Sequence, residues 1–361
     1  MTSEQTKKLL AMRPDNAVRV LGAKSPILLM NGKDIFEAIY DEKIIIMACN
    51  ARIPHAIPGI MRAAEELDAI VAFELAKTEG NIDGGYTAQT PKQYVAAIVG
   101  YAQQLKFSKP FFIHGDHTTV KKPTADEVDS SAILLKAEYD AGYTSFAIDA
   151  SHMEIPNNIA ATIYLTKPIM ELGLGLEVEV GEIAGAAGKL TTVEESVTYI
   201  EALAVAKIAP NLLAISNGSK HGNYKPGEEV HIDLKRTGEI FKAIHNWRVA
   251  IAQHGITGTP LNLVGQFAEY GIRKGNVGTT WQNIAHKHLP ADLFSAIEKW
   301  CETNKKDIKH STKQFKKEID AIPEANKKAI ADESYVVAKE FIEAFRAVGS
   351  ASIVANKLAG K

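Results

Sequence analysis

The sequence predicts a single (β/α)8 barrel with extra helices at its C-terminal end. Eight short apolar stretches between Lys43 and Val277 alternate with amphipathic helix signals. Strict alternation of strand and helix is the pattern of a parallel sheet, and eight units close it into a barrel. The first, KIIIMA at 43–48, is apolar on both faces, as a strand buried on both sides is. Most of them end abruptly in polar or ionisable residues. A doubly wound open sheet is the structural competitor, but it usually carries a glycine-rich phosphate turn after its first strand. Here that turn reads Cys49-Asn50-Ala51-Arg52.

Residues 1 to 24 are mixed and polar and read as a helical lead-in, and Gly32 to Glu42 forms a further helix with Ile35, Ile39 and Tyr40 on one face. The first strand is Lys43 to Ala48, followed by a helix from Pro58 to Leu67. Ala69 to Phe73 is the second strand, leading to Glu74. Thr90-Pro91 opens the next helix, with a hydroxyl N-cap and proline at the first helical position. Pro110 to Ile113 is the third strand, leading into His114, Asp116 and His117. Thr144 to Ile148 is the fourth and Gly175 to Val180 the fifth, with Glu177 and Glu179 on one face. Thr192 caps a helix whose first turn is acidic, which suits the helix dipole. Leu212 to Ser216, Val249 to Gln253 and Tyr270 to Val277 complete the set. The domain plan is one barrel over 1–361, with a lead-in at 1–42 and a helical extension at 290–361 that serves packing or oligomerisation.

Composition narrows the function classes. The 361 residues are 46% hydrophobic and 23% charged, an ordinary globular balance. A net charge of -2 gives no whole-chain reason to expect nucleic acid or acidic lipid. Cys49 and Cys301 are too few for a disulfide framework or a cysteine-rich zinc site. The start lacks a signal peptide's apolar core, and no apolar run approaches the roughly 20 residues that span a bilayer. The expectation is a soluble cytoplasmic protein acting on a small molecule.

In a barrel the C-terminal strand ends converge on one mouth. His117, His221 and His254 each follow a strand, and the last two precede glycine, which lets backbone approach a ligand. Singly, each reads equally as a hydrogen-bonded rim residue. Together, three histidines with an open position make a catalytic-type divalent site, most naturally zinc. Asp116 beside His117 is placed to move a proton. After strands six to eight, Gly222, Lys225, Gly255, Thr257, Gly258, Asn276 and Thr279 can hold a phosphate through N–H groups, hydroxyls and a helix N-terminus. The plainer alternative is that the glycines only make tight turns.

These residues resemble the class II, metal-dependent fructose- and tagatose-bisphosphate aldolases. The resemblance runs from Lys43 to Trp281. It is carried by HGDH at 114–117, SHM at 151–153, LEVEVG at 176–181, HGNYKPG at 221–227, QHGITG at 253–258 and YGIRKGNVGTT at 270–280. It implies His117, His221 and His254 as zinc ligands, with cobalt, manganese or iron as substitutes, and Glu179 as a ligand in the metal's alternative, buried position. It implies Asp116 as the proton carrier at the scissile hydroxyl, and Gly222, Gly255, Thr257, Asn276 and Thr279 around the dihydroxyacetone-phosphate phosphate. Asn50 is implied as a substrate contact, and a monovalent cation (Na+ or K+) near Gly222 and Gly255. A homo-oligomer is plausible from the appended helices.

Three departures matter. The family's mobile loop carries a glutamate that exchanges the carbon-bound proton, and the matching stretch here, Ala184 to Gly188, has no carboxylate. Glu182 is the first candidate to replace it, with Glu74 second; Glu182 reads equally as an exposed loop residue. A serine turn after strand two is replaced by Glu74-Leu75-Ala76-Lys77, where a carboxylate is expected to repel phosphate. The aspartate expected between Asn276 and Thr279 is Gly278. The leading expectation is a zinc-dependent aldolase acting on a ketose (bis)phosphate such as fructose 1,6-bisphosphate. A sugar-phosphate isomerase, epimerase or other lyase, and a non-catalytic metal- or sugar-phosphate-binding barrel, are the rivals.

Overall fold

The computed structural model describes residues 1–183, 188–224 and 227–360. Eight parallel strands close a barrel in sequence order, with the last pairing to the first. They are β1 (Ile46–Cys49), β2 (Val71–Ala76), β3 (Phe111–Thr119), β4 (Ser145–Asp149), β5 (Gly175–Val180), β6 (Leu212–Ile215), β7 (Ala250–Gln253) and β8 (Ile272–Val277). The expected helix caps are present. Thr90 and Thr192 each accept from the backbone N–H three residues on, and Gln93 and Glu195 return the bond to the cap residue.

Two strands run further than their apolar text. β2 pairs with β3 from Val71↔Phe111 to Ala76↔Asp116, so Glu74, His114 and Asp116 lie inside strands rather than beyond them. The ladder continues because these polar side chains find partners in the barrel lumen. β3 then shifts register against β4 between Gly115 and Thr118. Within that irregularity His117 has φ 40°, in the left-handed region that few non-glycine residues enter. The kink re-aims His117 toward the mouth.

The C-terminal extension is packed on the barrel. Helix Glu324–Ala344 lies against helix Ile57–Glu66. They approach so closely that a Cβ at Gly59 would sit 2.0 Å from the Ala331 carbonyl oxygen. The short turn Ile308–His310 reaches the mouth, where His310 meets Tyr86 edge-on at 5.3 Å. Packing or oligomerisation was the role expected for this extension; Asp307, Ile308 and Lys309 also form part of the pocket wall. At the other end of the barrel, Leu29 bridges Phe111, the first residue of β3.

Candidate active site

The mouth opens on a cavity of about 620 Å³, within the range that holds a small phosphorylated sugar. His117, His221 and His254 meet there. Their ring centroids lie 4.3 Å (117–254), 5.2 Å (117–221) and 6.2 Å (221–254) apart. His117 Nδ1 faces Asp149 Oδ2 and Glu179 Oε2, each at 3.1 Å. His254 Nε2 pairs with Glu177 Oε1 at 2.8 Å. The opposite nitrogens, His117 Nε2 and His254 Nδ1, are buried with no hydrogen-bond partner among the described residues. An imidazole gripped by a carboxylate on one side with a bare nitrogen on the other is the usual arrangement of a metal ligand. His221 is open to solvent on its outer side. Packing among protein atoms and the neighbouring His117 and His254 push its imidazole down to about 3.

Glu179 and Asp149 share His117, but their carboxyls shift in opposite directions. Burial and the nearby Asp149 push the Glu179 carboxyl up. Burial also opposes ionisation of Asp149, but bonds from His117 and from Ser151 outweigh it and hold it well below the usual range. Glu179, expected as a ligand for the metal's alternative position, is buried with its Oε2 at His117 Nδ1.

Asp116 sits between two asparagines. Asn50 Nδ2 donates to its Oδ2 at 2.9 Å, and Asn276 Nδ2 to its Oδ1 at 3.0 Å. Burial opposes its charge, yet His117, Lys274 and His254 outweigh that and hold the carboxyl well below its ordinary value. Its oxygens lie within 4.8 Å of ligand atoms on His117 and His254. Asn50 also donates to Glu79 Oε2 at 3.1 Å, and Arg52 Nε donates to Glu79 Oε1 at 2.7 Å. Asn50 and Asn276, expected at the substrate, both bond Asp116 here.

Beneath the mouth lies a charged layer that sequence reasoning missed. Lys274 on β8 is fully buried, 3.0 Å from Glu74 Oε2 and 3.0 Å from Glu177 Oε2. Two expectations for Glu74 are thereby corrected. It is not at the mouth and cannot repel a phosphate there, nor exchange a proton with substrate, because β2 continues through it and turns its side chain to Lys274. His114 is fully buried: its Nδ1 bonds Ser145 Oγ at 2.8 Å and its Nε2 lies 3.4 Å from Glu177.

Gly222, Gly255, Thr257, Asn276 and Thr279 line the same cavity. A Cβ at Gly255, whose φ is 68°, would meet the Lys220 carbonyl oxygen at 2.4 Å, so only glycine fits there. Thr257 Oγ1 accepts from the Thr280 N–H at 3.2 Å, tying this loop to the start of helix Thr279–Lys287. Lys225 and residues Ala184 to Ala187 lie outside the described residues. Gly278 leaves room for Arg52, whose Nη2 would be 3.1 Å from an added Cβ. Glu182 lies on the rim, its side chain 57% exposed, with Oε1 3.3 Å from His152 Nδ1.

Glu177, Lys274, Glu79 and Arg52 were not selected by the sequence reading, and Asp149, a strand-end candidate, was given no role there. Asp149 ends a predicted strand and Glu177 shares the face of Glu179, so both had a local signal. Lys274 follows Arg273 in β8, where all six residues are buried, and a buried lysine requires an internal partner. Glu79 and Arg52 meet only in space.

The donors present fit a divalent metal ion: converging imidazoles with two bare nitrogens, flanked by carboxylates. Comparison with known proteins agrees. The family described as fructose-bisphosphate aldolase class-II matches residues 30–349. A probable fructose-bisphosphate aldolase of Bacillus subtilis (strain 168) is 28% identical over 246 residues, 67% of this chain and 78% of that protein. The fructose-bisphosphate aldolase of Thermus caldophilus is 27% identical over 279 residues, 75% of this chain and 80% of that protein. The crystal structure of the YdjI aldolase from Escherichia coli K12 shares the fold, with a TM-score of 0.64 at 18% identity, covering 90% of this chain and 99% of that one. The chain belongs to the metal-dependent class-II fructose-bisphosphate aldolase family and is an aldehyde-lyase of the ketose-bisphosphate aldolase kind.

Proposed function

We propose that the protein is a zinc-dependent aldolase that reversibly cleaves a ketose (bis)phosphate, such as fructose 1,6-bisphosphate, into dihydroxyacetone phosphate or a close analogue and an aldehyde. The observation that carries this reading is the pair of bare nitrogens, His117 Nε2 and His254 Nδ1, on two histidines that each bring a ring nitrogen within 4.8 Å of an Asp116 carboxylate oxygen. A bound zinc ion supplies Lewis-acid stabilisation of the negative charge that develops on oxygen as the carbon–carbon bond breaks. Asp116, ionised and held by Asn50 and Asn276, takes the substrate hydroxyl proton. Gly222, Gly255, Thr257 and Thr279, with Lys225, hold the phosphate, and a monovalent cation at the Gly222 and Gly255 carbonyls assists them. Glu182 is the proton carrier at carbon, oriented by His152.

Among the described residues no helix is long and apolar enough to cross a membrane. Our reading includes a cytoplasmic homo-oligomer. The absent carboxylate at Ala184 to Gly188 favours one rival, a metal-dependent isomerase or epimerase. A panel of phosphorylated ketoses separates the two. Released aldehyde, trapped as it forms, supports the aldolase; an isomerised ketose with no aldehyde overturns it.

A further inference from the structure

Lys274 has no exposed side-chain surface, and its ammonium carries three hydrogens. Three oxygens surround it: Glu74 Oε2 on β2 at 3.0 Å, Glu177 Oε2 on β5 at 3.0 Å and Asn276 Oδ1 at 2.9 Å. Each contact past the first strand has a consequence one bond further on. With Asn276 Oδ1 taken by Lys274, its Nδ2 is the end turned to Asp116. With Glu177 Oε2 ion-paired to Lys274 at 3.0 Å and facing His114 Nε2 at 3.4 Å, its Oε1 is left for His254 Nε2 at 2.8 Å, and His254 Nδ1 is the nitrogen that stays bare. We infer that Lys274 is a positioning residue that aligns the proton carrier Asp116 and the metal-facing nitrogen of His254 together, through Asn276 on one arm and Glu177 on the other. The inference rests on the zinc-aldolase reading of the site.

Charge supports the geometry. Burial lowers the Lys274 pKa, but Glu177, Glu74 and Asp116 more than offset it and keep the ammonium charged. Glu177 is likewise held ionised: burial opposes it, and Lys274, His114 and His254 prevail. A neutral group at 274 leaves Glu177 without its cation and frees the Asn276 amide to turn. Glu74 anchors the ammonium from the third side; burial and Asp116 push its own carboxyl up.

The test reads zinc affinity by competition with a chromophoric chelator, beside kcat at saturating zinc. Lys274→Met is expected to weaken zinc binding by about 10- to 100-fold, the usual effect of removing a group behind a ligand, and to lower kcat even when zinc saturates. Glu177→Gln cuts one arm and is expected to weaken zinc binding to a similar extent. Adding Lys274→Met to Glu177→Gln produces little further loss of affinity, because both act on His254 in series. Folded Lys274→Met with wild-type zinc affinity overturns the inference, and so do losses that add in full. If Lys274→Met does not fold, Glu74→Leu/Lys274→Met removes one stranded carboxylate, and wild-type zinc affinity in Glu177→Gln alone overturns the His254 arm. A wild-type chain that binds no zinc defeats the aldolase reading itself, which keeps the two failures distinct.

Discussion

Asp116→Asn separates chemistry from metal binding. The carboxylate accepts one amide on each oxygen, from Asn50 at 2.9 Å and from Asn276 at 3.0 Å. An asparagine presents one oxygen and one NH2, so one of those neighbours faces a donor instead of an acceptor. That mismatch costs about 1–3 kcal/mol of stability. The larger effect is on rate. Positioned proton transfer contributes about 10²–10⁴-fold, or roughly 3–5 kcal/mol of barrier. His117 Nε2 and His254 Nδ1 are untouched, so zinc content is expected to stay at the wild-type level. Cleavage is followed by trapping the aldehyde from fructose 1,6-bisphosphate or the best substrate of the panel, with zinc measured on the same sample. A zinc-loaded variant with undiminished kcat refutes the role of Asp116 and favours a non-catalytic binding barrel.

Three other outcomes are expected. Glu182→Gln slows exchange of the carbon-bound proton of dihydroxyacetone phosphate with deuterated water by about 10²-fold at unchanged zinc content; wild-type exchange removes Glu182 from the mechanism. Gly59→Ala places a Cβ 2.0 Å from the Ala331 carbonyl oxygen and lowers stability by about 1–3 kcal/mol in urea unfolding, and an unchanged midpoint contradicts the helix contact. His286 is pushed down to about 4 by burial and by Arg52, against the pull of Asp307. Above pH 6.5 it is neutral folded and unfolded and contributes nothing to the pH dependence. As pH falls from 6.5 to 4 the unfolded chain takes up a proton that the folded one refuses, and stability drops by up to about 3 kcal/mol. His286→Leu flattens that part of the profile; an equally steep profile in the variant refutes the assignment.

The barrel was legible because short, largely apolar stretches alternate with helical ones, and some helices announce their start, as those after Thr90 and Thr192 do. The convergence of His117, His221 and His254 was legible because strand ends in a barrel meet at one mouth, however far apart the residues lie in sequence. The length of β3 was not. Apolar text stops at Ile113, while the strand runs to Thr119 because His114 and Asp116 are solvated by protein groups rather than water. Glu74 was misplaced for the same reason, since its partner Lys274 lies 200 residues on. Pairings across the lumen, such as Lys274 with Glu177 or Arg52 with Glu79, leave no periodic trace in the chain. The extension's contribution at Asp307 to Lys309 was equally hidden, because amphipathic helices show that they pack but not against what.

The most direct test of the metal-dependent aldolase is chelation and restoration on one sample. After EDTA treatment and removal of the chelator, the chain is expected to release no aldehyde from its ketose phosphate, and about one zinc ion per chain is expected to restore the rate. Full activity in protein shown to be metal-free contradicts the account.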